Sequence, residues 1–246
     1  MFSAASGVTF SGYFLESNLK RLLFLFLAYS GRYRNPLDGP PMNTKAVLTG
    51  DLMHSQTVGD THAYLDGLKR ILAALKKPYG LTIDTFRGDG FQVELKHAAK
   101  AFECALAIRA GLIAASPAGE RWDARIAIGI GGAASGGSYG EAFVLSGQGL
   151  DGMKKLTLGL FSHDPMLLRG AGLVTEFVAA IVDKWTVVEA QAYYAHLLDG
   201  GDQQSIAEQL GKSRVAVNKA LQRGQARLLD RYLVCTGQWL LEVVDA

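Results

Sequence analysis

Two Gly-Asp pairs, Gly50-Asp51 and Gly88-Asp89, are the parts of this chain best suited to chemistry. Gly50-Asp51 closes a short, mostly apolar run, Lys45–Thr49, and Arg87-Gly88-Asp89-Gly90 separates two more, Leu81–Phe86 and Phe91–Leu95. Two carboxylates brought together repel each other unless a cation offsets their charge. Mg²⁺ suits such a pair, because it takes oxygen ligands and is often held by one or two carboxylates plus phosphates. A glycine before each aspartate lets a backbone or a phosphate approach closely. The alternative is turn chemistry, since Asp-Gly is a favoured hairpin turn and Gly-Asp after a strand can simply open a loop. Gly136-Gly137-Ser138-Tyr139-Gly140 is likewise either a flexible cover for phosphates or only a loop.

A second constellation lies near the C-terminus, from Gln203 to Leu221. Ala207 is small where two helices would cross, and Gly211 falls in the tight turn between them. Val217 and Leu221 would bury the second helix against Ile206 and Leu210, and Ser213 can cap it. This is the spacing of a helix-turn-helix, whose second helix enters the major groove. Lys212, Arg214, Lys219, Arg223, Arg227 and Arg231 stand against Glu208 and Asp230, a local surplus above the whole chain's net +2. Such a patch is the footprint of phosphate contacts. Lys212, Ser213, Arg214, Asn218, Lys219 and Arg223 are the expected DNA-binding residues. Arginine suits guanine and asparagine suits adenine. The alternative is a trihelical unit that binds protein or packs on its own chain.

The elements that must position the aspartates read as β-α-β-β-α-β. Lys45–Thr49 is the first strand, and Leu65, Leu68, Ile71, Leu72 and Leu75 form one helical stripe that Pro78-Tyr79-Gly80 ends. The Gly-Asp-Gly turn makes a hairpin of the next two strands. A helix over residues 98–115 faces Phe102, Ala105, Leu106, Leu112 and Ile113 inward. A fourth strand, Asp123–Ile130, alternates isoleucines with Arg125, Ala127 and Gly129. The order is ferredoxin-like, an α+β class in which the first and third strands are central neighbours, so Asp51 and Asp89 fall close in space. Helices would cover the isoleucine face. The other face, with Thr49, Asp51, Gln92, Glu94, Ala127 and Gly129, is expected to be open to a ligand or a partner sheet.

Thr49-Gly50-Asp51-Leu52-Met53-His54-Ser55, Arg87-Gly88-Asp89-Gly90-Phe91-Gln92, Ile126-Ala127-Ile128-Gly129-Ile130-Gly131 and Gly140-Glu141-Ala142-Phe143 resemble the successive blocks of the SatD family of bacterial proteins. The resemblance spans Lys45 to Lys155. It departs at Gly90, where the family usually carries a glutamate. More distantly, the arrangement is similar to the palm-like domains of class III nucleotide cyclases and GGDEF proteins. That resemblance implies a nucleoside triphosphate bound with Mg²⁺ on Asp51 and Asp89, with Gly50, Gly88, Asp151 and Lys155 contributing to nucleotide binding. It implies catalytic roles for Asp51, Asp89 and Lys155. Asp151 stands where cyclases have an asparagine, Lys155 where they have the transition-state arginine, and Thr85 near the purine-selecting lysine. Lysine keeps the charge but loses the planar fork, so the departures point to binding rather than to fast turnover.

The 246 residues have room for two modest domains. Residues 42–156 would form the ferredoxin-like domain, 157–183 a helical connector and 184–246 an all-α helix-turn-helix domain. Residues 1–41 end in Arg34-Asn35-Pro36-Leu37-Asp38-Gly39-Pro40-Pro41 and read as an N-terminal extension, with a docking amphipathic helix and a signal peptide as alternatives. Two distant cysteines, Cys104 and Cys235, fit a reducing compartment, so a cytoplasmic location is expected. No uninterrupted apolar run reaches the ~18 residues of a membrane span. The expectation is a SatD-like regulator that binds nucleotide, Mg²⁺ and DNA, possible as a homodimer and without a membrane partner. The alternative is an enzyme making a signalling nucleotide, with the helix-turn-helix as a targeting or self-association module.

Overall fold

The computed structural model describes residues 44–132, 140–200 and 202–245, with no side-chain placement for 84–87 or 243–245. The N-terminal extension and most of the glycine-rich loop, residues 133–139, lie outside the described residues.

The chain is mixed α+β around a five-stranded sheet. Its elements are β1 (Thr44–Leu52), α1 (Thr61–Tyr79), β2 (Leu81–Arg87), β3 (Gly90–Leu95), α2 (Ala101–Ala114), β4 (Ala124–Gly132), α3 (Glu141–Gly152) and β5 (Leu158–Ser162). There follow α4 (Pro165–Val182, with a π turn at Leu168–Gly172), α5 (Val187–Asp199), α6 (Gln203–Leu210), α7 (Arg214–Arg223) and α8 (Ala226–Asp245). The strands lie in the order β2-β3-β1-β4-β5. All neighbours are antiparallel except β4 and β5, which run parallel.

Period-two alternation decides which strand residues face the main core. Leu48 and Leu52 of β1, Phe91, Val93 and Leu95 of β3, and Ile126, Ile128 and Ile130 of β4 belong to it. They meet Leu68, Ile71, Leu72 and Leu75 of α1 and Phe102, Leu106 and Ile113 of α2. Burying each such side chain contributes about 1.5–3 kcal/mol. α1 begins at Asp60, which accepts from Ala63 N, and ends at Gly80 in the left-handed conformation.

The second face is not open, in contrast to the sequence-based expectation. α3 packs across it because the sheet residues there are small. A Cβ on Gly129 would sit 2.3 Å from the Ala142 carbonyl oxygen and 2.7 Å from Ser146 N. Thr49 Oγ1 donates to Ser146 Oγ at 2.7 Å, and Gln92 Nε2 donates to Thr49 Oγ1 at 2.8 Å. Small residues on the sheet make room for a helix here. The stretch expected as a helical connector begins with a strand, β5, whose run Leu158-Gly159-Leu160 pairs with Ile126–Ile128.

The C-terminal helices share the same apolar cluster as the sheet and its helices, through Trp185, Ala190, Tyr193, Leu229 and Tyr232 among others. Phe102 of α2 meets Tyr232 of α8 edge to face, at 5.6 Å between ring centroids. α4 is long and apolar enough to cross a membrane by length and composition. In this structure Leu167, Ala171, Val178, Ala179 and Val182 of α4 are buried in the core.

Candidate functional site

The first candidate site forms where β1 ends and β3 and β4 begin. The ladder sets Asp51 opposite Gly90 on β3 and opposite Arg125 on β4. Leu52 N donates to the Asp89 carbonyl oxygen at 3.1 Å, which ties the β2–β3 turn to the end of β1. Gly88 makes that turn at φ 64° with nothing within 4 Å of where a Cβ would be. Space beside Gly50 is already taken, since a Cβ there would meet the Phe91 ring at 2.5 Å and the Arg125 carbonyl at 2.7 Å.

Both carboxylates are engaged. Arg125 Nε donates to Asp51 Oδ1 at 2.9 Å and its Nη2 to Asp51 Oδ2, a two-pronged cross-strand pair. The third prong, Nη1, donates to the Met153 carbonyl at 2.7 Å, which draws the end of α3 to the site. Ser55 Oγ donates to Asp89 Oδ2 at 2.5 Å. The hydrogen bonds to Asp51 hold Arg125 protonated above the ordinary guanidinium value, against its desolvation, and the charges of Asp51 and Asp89 add to this.

Asp151 in the last turn of α3 and Lys155 just after it are exposed. Their side chains have no hydrogen bond or ion pair among the described residues. The same described residues contain no group of three or more His, Cys, Asp or Glu placed to hold a metal ion. Two aspartates, each already bonded, fit a divalent ion only in part. Arg125 and Ser55 were not among the sequence candidates. The signal for Arg125 was its place on the non-isoleucine side of the fourth strand, the side that carries Asp51.

The second candidate site is the surface of α7. α6 is capped by Asp202, which accepts from Gln204 N and Ser205 N, and ends at Gly211 with φ 61°. Lys212 and Ser213 complete the turn, and Ser213 Oγ accepts from Ala216 N at 3.2 Å to start α7. Val217, Ala220 and Leu221 are buried, so Arg214, Asn218 and Lys219 are left on the exposed face. Among the described residues the side chains of Arg214 and Lys219 have no partner. Lys212 Nζ donates to Gln191 Oε1 at 2.9 Å. Val215, 64% exposed, sits among them and was not a sequence candidate.

Arg223 is placed differently from its neighbours. Its Nε and Nη2 each reach Glu189 Oε1 at 2.7 Å. Glu189 is buried, and it also closes the capping box of α5 by accepting from Thr186 N at 3.1 Å. Burial pushes its carboxyl up, but the hydrogen bonds from Thr186 and Arg223 outweigh this and hold it below the ordinary range. A depressed folded value means that the stabilisation is fully present above the unfolded value of about 4.3 and fades as pH falls through the folded one. Glu189→Ala is expected to cost about 1–2 kcal/mol at neutral pH. The gap to wild type should shrink in thermal melts below about pH 4; a gap constant across pH would remove the ion pair from the account.

No family model matches this sequence. No curated protein matches it either. The resemblance to the SatD family therefore rests on the four motif blocks alone. Among solved structures the chain is similar to a bacterial light-regulated adenylyl cyclase, with 14% identity and a TM-score of 0.33. The match covers 63% of this chain and 57% of that one, so the chain spans little more than half of the cyclase's length. At that identity and TM-score the likeness decides neither the family nor the activity.

Proposed function

We propose that this chain is a DNA-binding regulator of SatD-like type whose sheet region binds a nucleotide. The observation that carries the reading is the exposed face of α7, where Arg214, Asn218 and Lys219 stand free above a buried apolar side. In this reading α6 and α7 are a helix-turn-helix, and α7 lies in the major groove. Val215 supplies an apolar contact of the kind a thymine methyl accepts.

For the sheet region the reading takes β1 to β4 with α1 and α2 as a ferredoxin-like, palm-like unit. Support comes from the gathering of Asp51, Asp89, Arg125 and the Asp151–Lys155 segment at one end of the sheet. In this reading the guanidinium of Arg125 would be available to phosphate oxygens of a bound nucleotide, and Asp51 and Asp89 are the residues that would hold its Mg²⁺. Held there, the ion would supply positive charge to offset that of the phosphates. Asp151 and Lys155, free and exposed, lack the preorganisation that fast nucleotidyl transfer needs, which favours binding over turnover.

Calorimetry of the full chain against the four ribonucleoside triphosphates with Mg²⁺ tests the nucleotide half. Asp51→Asn and Asp89→Asn should each weaken binding of the preferred nucleotide, and the double variant should add little, because the two act as a unit. Wild-type affinity in both single variants would remove the nucleotide site from this end of the sheet.

A further inference from the structure

Neighbouring carboxylates need a positive charge close by, and this chain supplies one of its own. Arg125 is directly across the ladder from Asp51, so the two side chains leave the same face of adjacent strands. Its three donor groups all have acceptors: two on Asp51 and the third on the Met153 carbonyl. The charge of Asp89 also acts on it. A guanidinium is permanently charged and matches a carboxylate with two parallel bonds, whereas an ammonium reaches only as a point charge. Asp51 and Arg125 are 26% and 31% exposed, so water screens their attraction less than on an open surface.

A divalent ion meets two obstacles here. Mg²⁺ and Mn²⁺ favour oxygen ligands, and both oxygens of Asp51 already accept from Arg125. The guanidinium also places a like charge beside the position such an ion would take. We infer that Arg125 is the resident counter-cation of the Asp51–Asp89 pair and keeps Asp51 closed to a free divalent ion. This goes beyond the nucleotide reading and does not rest on it, because the probe is the metal alone.

The experiment is Mn²⁺ binding to the full chain without nucleotide, followed by the loss of the free Mn²⁺ electron paramagnetic resonance signal. Wild-type protein should bind weakly. Arg125→Gln should bind about tenfold more tightly or better, the scale on which one neighbouring charge acts. Adding Asp51→Asn to Arg125→Gln should abolish the gain. Arg125→Lys, which keeps the charge but cannot reach all three acceptors, should give a smaller gain and carries the test if the glutamine variant does not fold. The inference is overturned if folded Arg125 variants show no gain, or if the gain survives the addition of Asp51→Asn. The nucleotide reading fails on a different result, unchanged triphosphate affinity in the two aspartate variants.

Discussion

Arg109→Met should lower the unfolding free energy by about 3–5 kcal/mol, the cost of leaving a buried charge without its partner. Arg109 of α2 is fully buried, at 0% exposure, and every hydrogen-bonding end of its guanidinium is used. Nε and Nη2 reach the Asp123 carboxylate at 2.9 and 2.7 Å, Nη2 also reaches Asp183 Oδ1 at 2.8 Å, and Nη1 reaches Thr157 Oγ1 at 3.1 Å. Burial works against its charge, but Asp123 and Asp183 outweigh it and hold the group protonated. Removal leaves the Asp123 side chain, 2% exposed, with Arg121 as its one remaining ionic partner among the described residues. A buried ion pair is weak evidence of net stability, yet breaking one side of it is costly. Arg109→Met combined with Asp123→Asn should therefore recover part of the loss, since no uncompensated buried charge remains. Urea unfolding of the wild type and the two variants measures this. A single-variant loss below about 1 kcal/mol would mean that water reaches the network.

The network also sets the candidate site at the sheet end. The Asp123 carbonyl accepts from Met53 N at 2.9 Å and from the Tyr64 hydroxyl, and this hydroxyl accepts from Asp123 N at 2.7 Å. Asp123 thus fixes where β1 leaves the sheet and where β4 begins, two residues before Arg125. Through Arg109 of α2 the network extends from Asp123 to Thr157, just before β5, and to Asp183, just after α4, so the end of the sheet is clamped by segments far apart in sequence.

What was legible in the sequence followed from period. The stripe Leu68-Ile71-Leu72-Leu75 announced α1, and the alternation Ile126-Ile128-Ile130 announced β4, because one face of each is apolar. The Gly-Asp-Gly turn announced the hairpin. α3 was not legible: its buried residues are Ala142, Ser146 and Gly149, too small to form an apolar stripe. β5 is five residues with Leu158, Gly159 and Leu160 all buried, and a short run buried on both faces does not alternate. Arg109 could have been singled out, since it falls at helical spacing between Ala105 and Leu106 on one side and Leu112 and Ile113 on the other. A charge on an apolar stripe signals a buried partner. The identity of that partner depends on tertiary packing, and so did the pairing of Asp51 with Arg125, which needs the β1–β4 register and not only the strand order.

Full-length protein should bind duplex DNA at low salt, and Lys212, Arg214 and Lys219 replaced together by alanine should reduce affinity by about a hundredfold to several thousandfold. The full chain is the right material, because Trp185, Ala190 and Tyr193, which support the C-terminal helices, belong to one core with α2. All three basic residues are exposed, and only Lys212 has a partner, Gln191, among the described residues. Their loss should therefore shift stability by no more than about 0.5 kcal/mol, so a fall in binding cannot come from unfolding. Arg223 is the wrong probe, since its replacement also strips a buried glutamate of its ion pair. Affinity should decline as salt rises, with a logarithmic slope of roughly 0.9 per phosphate neutralised, and the triple variant should show a shallower slope. Arg214→Ala alone should cost about 1–3 kcal/mol and relax sequence preference if Arg214 reads a guanine, whereas Arg227→Ala should weaken all sequences alike if it touches only phosphate. Gel-shift titrations at two salt concentrations separate these cases. Absence of binding at low salt, with and without nucleotide, would make α5 to α8 a protein-binding unit and leave its basic residues as solvated surface.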